Sequence, residues 1–108
     1  MSVKQIRSDK AFKKIMDAEV ALVDFNAPWC APCHVQEPIL ANVSEEMAGK
    51  AIVAAVNIDN HLRIARAYDI RNIPTLIVFK KGEEMERFVG LQNRATLVNA
   101  MVKALNRA

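Results

Sequence analysis

The sequence has 108 residues, 52% of them hydrophobic and 25% charged, with a net charge of +3 at pH 7. That length is expected to form one domain over 1–108, large enough to bury a core without staples. The basic residues (among them Lys4, Arg7, Lys13, Lys14, Lys80, Lys81 and Arg94) are scattered among acidic ones. This argues against the clustered, aromatic-interleaved face of a nucleic-acid binder, and no apolar run approaches the ~20 residues of a membrane span.

Val3 to Ile6 suits a short edge strand. Ser8 or Asp9 can cap a helix whose Phe12, Ile15 and Met16 share one face at i, i+3, i+4 spacing. Val20 to Phe25 is a near-continuous apolar run, as in a strand covered on both faces, interrupted by Asp24. Asn26 to His34 then reads Asn-Ala-Pro-Trp-Cys-Ala-Pro-Cys-His. Helical spacing follows in Val35, Ile39, Leu40, Val43 and Met47, giving a helix to about Ala48 with an interruption and a kink at Pro38. Gly49 ends it. Ala51 to Ile58 reads as another buried strand, and Asn60 as the cap of a short helix bearing Leu62, Ile64, Ala65 and Tyr68. Thr75 to Phe79 is a strand, Lys80-Lys81-Gly82-Glu83 a hairpin turn, and Met85 to Val89 a more exposed returning strand ended by Gly90. Asn93 can cap a last helix with Leu97, Val98, Met101, Val102 and Leu105 on its apolar side. The order β-α-β-α-β-α-β-β-α predicts an α/β fold with a mixed sheet, parallel early and antiparallel late, and helices on both faces.

The chemistry sits where the strand ending at Phe25 hands over to a helix. Two cysteines and no more, three residues apart, point to redox or metal chemistry rather than a disulfide framework. Residues three apart in a helix have Cα atoms roughly 5 Å apart, inside the range a disulfide accepts. Cys30 and Cys33 can therefore open and close a bridge with little backbone movement. Pro32 falls in the first turn, where its missing N–H costs nothing. The free N–H groups and the positive end of the helix dipole favour an anion there, so the Cys30 thiol should ionise readily. A thiolate beside a partner ready to displace it is what thiol–disulfide exchange requires. No second ligand cluster accompanies the pair, so no metal is expected. The polar start Met1-Ser2-Val3-Lys4-Gln5, with no apolar stretch after it, leads to the expectation of a cytoplasmic protein without a signal peptide.

Taken together, Trp29-Cys30-Ala31-Pro32-Cys33 and Ile73-Pro74-Thr75 closely resemble the thioredoxin family. The same family pattern continues in Val23-Asp24-Phe25, Pro38-Ile39-Leu40, Asn57-Ile58-Asp59, Phe79-Lys80-Lys81-Gly82-Glu83 and Val89-Gly90. The resemblance runs from the first helix to the last. It implies a central mixed sheet of about five strands flanked by four helices. It also implies protein-disulfide reduction, with Cys30 as nucleophile, Cys33 as resolving thiol and Asp24 as a buried acid–base group. Pro74 would be a cis-proline facing the cysteines, and Trp29, Ile73, Pro74 and Gly90 would form the substrate groove. No cofactor would be bound. Electrons would come from NADPH through a flavin-containing thioredoxin reductase to the Cys30–Cys33 disulfide, and the partners of a monomer would be that reductase and protein disulfides.

The apolar residues around Asp24 favour its burial, which makes it hard to ionise and able to carry a proton. The chain departs from the family pattern at four positions: Asn26 stands where tryptophan is common, Ala31 for glycine, and Ala55 and His34 for lysines. Without a lysine at 55, Asp24 should lack a compensating cation and stay protonated to higher pH. A protonated His34 would place a positive charge near the thiolate. Tyr68 reads as packing and His61 as a surface helix residue. Three other functions fit parts of the sequence. An oxidant or isomerase of the same fold would show extra charge between the cysteines. Cys30-Ala31-Pro32-Cys33-His34 also matches the attachment motif of c-type haem. A non-catalytic docking subunit would use the fold without the thiols.

Overall fold

Strand β2 (Val20–Asn26) is the spine of the computed structural model, which describes residues 2–107. On one side it pairs in parallel with β3 (Ile52–Asn57), which pairs in parallel with the edge strand β1 (Lys4–Gln5). On the other it pairs antiparallel with β4 (Thr75–Lys80), followed by β5 (Glu83–Val89), so the sheet order is β1-β3-β2-β4-β5. The helices are α1 (Asp9–Met16), α2 (Ala31–Glu46), α3 (Leu62–Ala67) and α4 (Arg94–Leu105). The element order and the mixed sheet match the expectation.

Alternation along the central strands divides the core into two layers. Val20, Leu22, Leu76 and Val78 meet Leu40 and Val43 of α2 and Leu97 and Met101 of α4. Ala21, Val23, Phe25, Ile77 and Phe79 meet Phe12 and Ile15 of α1 and Ile64 of α3. Tyr68 packs among Phe12, Phe25 and Phe79, as read. The same alternation places Asp24 on the α2 side of β2.

Several local expectations need correction. The stripe of α2 that meets the sheet is Cys33, Gln36, Leu40 and Val43, so Val35 points away and is 54% exposed. Its successor stripe in α4 is Leu97, Ala100, Met101 and Ala104, which leaves Val102 on the outer side. Both shifts have one cause: with 3.6 residues per turn only one narrow arc reaches the core, and the small Ala100 and Ala104 let α4 sit close. The short helix α3 is entered through His61, with no side-chain cap, rather than Asn60, and Leu62 in its first turn is exposed. Helix α2 ends at Glu46 and runs through Pro38 as one element rather than being interrupted there. Ser8 and Asn93 do cap, accepting from Ala11 N at 3.0 Å and Thr96 N at 2.8 Å.

Lys80, at the end of β4, ties the sheet to the last helix. Its largely buried ammonium donates to the carbonyls of Ala104 at 2.8 Å and Arg107, neutralising the negative end of α4. Lys80→Met should lower the unfolding free energy by about 1–2 kcal/mol in urea denaturation while leaving the circular-dichroism spectrum unchanged.

Candidate active site

The turn 27–30 carries the chain from β2 into α2, and Cys30 is the N-cap of that helix. Its extended backbone (φ −95°, ψ 108°) ends the strand, and its Sγ accepts the N–H of Cys33 at 3.3 Å. An N-cap position is normally held by a Ser, Thr, Asp or Asn oxygen that meets the same orphan N–H. Sulfur does so here, and in the reduced protein such a site favours the thiolate over the thiol. Cys30 and Cys33 are disulfide-bonded with Cα atoms 5.3 Å apart, as the spacing predicts. They sit in an apolar nest of Ala27, Ile58 and Ile73 and are almost closed off from water.

Opposite the pair, the loop before β4 brings Ile73 and Pro74 across. The Ile73–Pro74 bond is cis, and the Ile73 carbonyl oxygen lies 3.8 Å from Cys30 Sγ. Thr75 Oγ1 donates to the Asn72 carbonyl and closes that loop. Gly90 is joined to it by its N–H, 2.7 Å from the Pro74 carbonyl. Its φ of +96° suits glycine, and a side chain there would project into open space rather than clash. Trp29 is 69% exposed, yet its indole N–H donates to Asp59 Oδ2 at 3.0 Å, which fixes the ring beside the cysteines. Asp59 is itself oriented through its N–H to Asn57 Oδ1 at 2.9 Å.

Asp24, on β2 with its side chain toward α2, is 1% exposed. Burial pushes its carboxyl up to about 6, with Glu37 on α2 adding to the rise. The expectation concerned only a compensating cation; a neutral donor also acts on the group. No cation is placed there, but the amide of Asn26 donates to Asp24 Oδ2 at 3.1 Å and pulls in the opposite direction. Among the described residues Asp24 Oδ1 has no hydrogen-bond partner. Both side chains line an open cleft of about 390 Å³, with Glu37, Leu40 and Ala41 of α2 and Ala55 of β3. The tryptophan-to-asparagine and lysine-to-alanine departures thus fall on one site. Residue 55 is directly opposite Asp24 in the parallel register, which sequence alone cannot show.

His34 is exposed but held by two polar partners. Its Nε2 lies 2.7 Å from the Pro28 carbonyl and its Nδ1 3.2 Å from Glu37 Oε1. Both neighbours are acceptors, so only the imidazolium satisfies both, and its pKa is raised, first by the Pro28 carbonyl. Among the described residues no group of three or more His, Cys, Asp or Glu side chains is placed to hold a metal ion. No helix there is long and apolar enough to cross a membrane.

The structure therefore brings Cys30, Cys33, Trp29, Ile73, Pro74 and Gly90 to one end of the sheet, with Asp24 beneath them. Sequence reasoning missed the roles of Asn26, Asp59 and Gln36. A glutamine in the apolar stripe between Cys33 and Leu40 was a legible signal for the last.

A family model, Thioredoxin, matches residues 2–103. The chain is 40% identical over 100 residues to a thioredoxin of Synechocystis sp., covering 91% of this chain and 94% of that protein. It is 39% identical to a thioredoxin of Rickettsia felis, covering 91% and 95%. Among solved structures, a mutant thioredoxin from Halobacterium salinarum superposes with a TM-score of 0.90 at 30% identity, covering 99% of this chain and 94% of that one.

A buried carboxyl with a raised pKa makes stability depend on pH. Asp24 ionises near 3.8 when unfolded and near 6 when folded, so the folded state holds the extra proton between those values. Its contribution is complete below pH ~4 and is lost as pH rises through ~6. Asp24→Asn should flatten this part of the stability profile and raise stability at pH 7 by up to about 3 kcal/mol. Asn26→Ala removes the one bond that lowers the Asp24 pKa. The carboxyl carbon, followed by NMR, should then titrate at higher pH than in the parent protein.

Proposed function

The chain belongs to the thioredoxin family and is a protein-disulfide oxidoreductase whose redox pair is Cys30–Cys33, and we propose how its side chains divide the reaction. In the reduced protein Cys30 is the attacking thiolate. Its Sγ attacks one sulfur of a target disulfide, forming a mixed disulfide with it and releasing the other target sulfur as a thiolate that takes a proton from water. Cys33 then gives up its proton and attacks Cys30 Sγ. The Cys30–Cys33 disulfide closes, and the second target sulfur leaves reduced. Two electrons have passed from the dithiol to the target.

The observation that carries this assignment is the Cys33 N–H donated to Cys30 Sγ at the start of α2. It favours charge on Cys30 rather than on Cys33, whose sulfur lies one turn inside the helix. Asp24, poised near neutrality, is the group that accepts the Cys33 proton and passes it to the cleft behind β2. Trp29, Ile73, Pro74 and Gly90 receive the substrate chain, with the Ile73 backbone near Cys30 available to pair with it. The disulfide is re-reduced by a flavin-containing, NADPH-dependent thioredoxin reductase, and the protein holds no cofactor of its own. It works as a single domain over 1–108 and a monomer in the cytoplasm.

Cys30→Ser should abolish reduction of insulin disulfides, whereas Cys33→Ser should accumulate a covalent mixed disulfide visible on a non-reducing gel. Full turnover by either variant would refute the two-cysteine scheme. The Cys30–Cys33 potential, followed by Trp29 fluorescence in thiol buffers, should fall near the reducing value of about −270 mV typical of thioredoxin. A value near −180 mV would instead assign an oxidant or isomerase.

A further inference from the structure

Gln36 is fully buried, one turn beyond Cys33 on the stripe of α2 that meets the sheet. An apolar residue would suit that place, since a buried amide is costly unless both of its ends are paired. Both are paired, and to one residue. Its Nε2 donates to the Gln92 carbonyl at 3.0 Å, and its Oε1 accepts the Gln92 N–H at 2.9 Å. The reverse orientation of the amide would set donor against donor and acceptor against acceptor, so the assignment is unambiguous.

The clamped residue belongs to the short segment 90–92 between β5 and α4. That segment is held at its other end by the Gly90 N–H on the Pro74 carbonyl, and the Gln92 side chain donates back to the Gly90 carbonyl at 3.3 Å. Its middle residue, Leu91, is exposed, as is Val89 just before it. The rim beside Ile73 and Pro74 is therefore tied by side chain to the helix that bears the cysteine pair. A loop that would otherwise move independently of α2 shares its frame.

We propose that Gln36 is a positioning residue for protein substrates, holding the Gly90–Gln92 rim at a set distance from the Cys30–Cys33 pair through its paired bonds to the Gln92 backbone. A protein disulfide has to lie along the rim and reach Cys30 at the same time, so it feels the spacing of the two. A small disulfide needs only the sulfur and does not. The proposal rests on Ile73, Pro74 and Gly90 forming the substrate groove.

The test compares the parent protein with Gln36→Met, which keeps length and helix propensity but loses both polar ends. Insulin serves as the protein disulfide and dithiobis(nitrobenzoate) as the small one. Gln36→Met should raise KM for insulin about fivefold to tenfold, the worth of one hydrogen bond's ordering of the rim. It should leave kcat and the rate with the small disulfide unchanged, and hydrogen exchange at the Gln92 amide should quicken. An unchanged KM for insulin, or an equal loss with both substrates, overturns the proposal. Ile73→Glu separates the two readings. If it raises KM for insulin while Gln36→Met does not, only the role of Gln36 falls. If it leaves KM unchanged, the groove reading falls and this proposal with it. Gln36→Leu replaces the methionine variant should that one fail to fold. In the parent protein the Gln92 amide should exchange slowly, and exchange at the rate of an exposed loop amide overturns the clamp without any variant.

Discussion

One contact organises the active end of the molecule: the Cys33 N–H donated to Cys30 Sγ at the head of α2. It makes a sulfur serve as helix cap, a role in which the unpaired N–H groups of the first turn hold a negative atom. The cap requires β2 to end and α2 to begin within the turn 27–30, which in turn requires the strand to be anchored on both sides. The central place of β2 between β3 and β4 provides that anchor. The redox pair is thus mounted at the end of the best-buried strand, on the first turn of the longest helix.

The second constraint is electrostatic. A carboxyl in the sheet interior is unfavourable as an anion, and the protein keeps one two residues before the end of β2. What surrounds Asp24 sets how unfavourable it is: burial raises its pKa most, Asn26 lowers it, and Glu37 adds to the rise. A neutral amide donor stabilises the anion less than a cation would, so the group stays poised near neutrality instead of being held ionised. The cleft lined by Ala55 opens on this carboxyl on the β3 side of β2, whereas Ile73 and Pro74 precede β4 on the other side. The proposed proton route and substrate groove therefore lie on different sides of β2.

The proposed groove is made of chain segments that have little regular structure, and each is secured by a specific polar bond. Trp29 is held by Asp59, Gly90 by Pro74, and Gln92 by Gln36. An apolar binding surface made of loops has few buried contacts of its own to order it. Directional bonds from the rigid elements supply that order while leaving Trp29, Val89 and Leu91 facing solvent.

The sequence by itself determined the succession of elements, the division into parallel and antiparallel halves, the location of the redox turn and the burial of Asp24. These follow from short-range signals: alternation, capping residues, Gly82 and Gly90 at turns, and three-residue spacing of the cysteines. Tertiary structure alone decided which arc of each helix faces the core, since Val35 and Gln36 are neighbours in sequence and only packing against the sheet tells them apart. It also decided the long-range polar pairings. Asn26 with Asp24 is local but depends on both side chains lying on one face of β2, while Trp29 with Asp59 and Gln36 with Gln92 join segments 30 and 56 residues apart. A hydrogen bond is directional and satisfied by a single partner, so no periodicity in the chain announces it. Hydrophobic burial is cumulative and non-directional, and that is why the pattern of the core was legible and the bonds that hold the site were not.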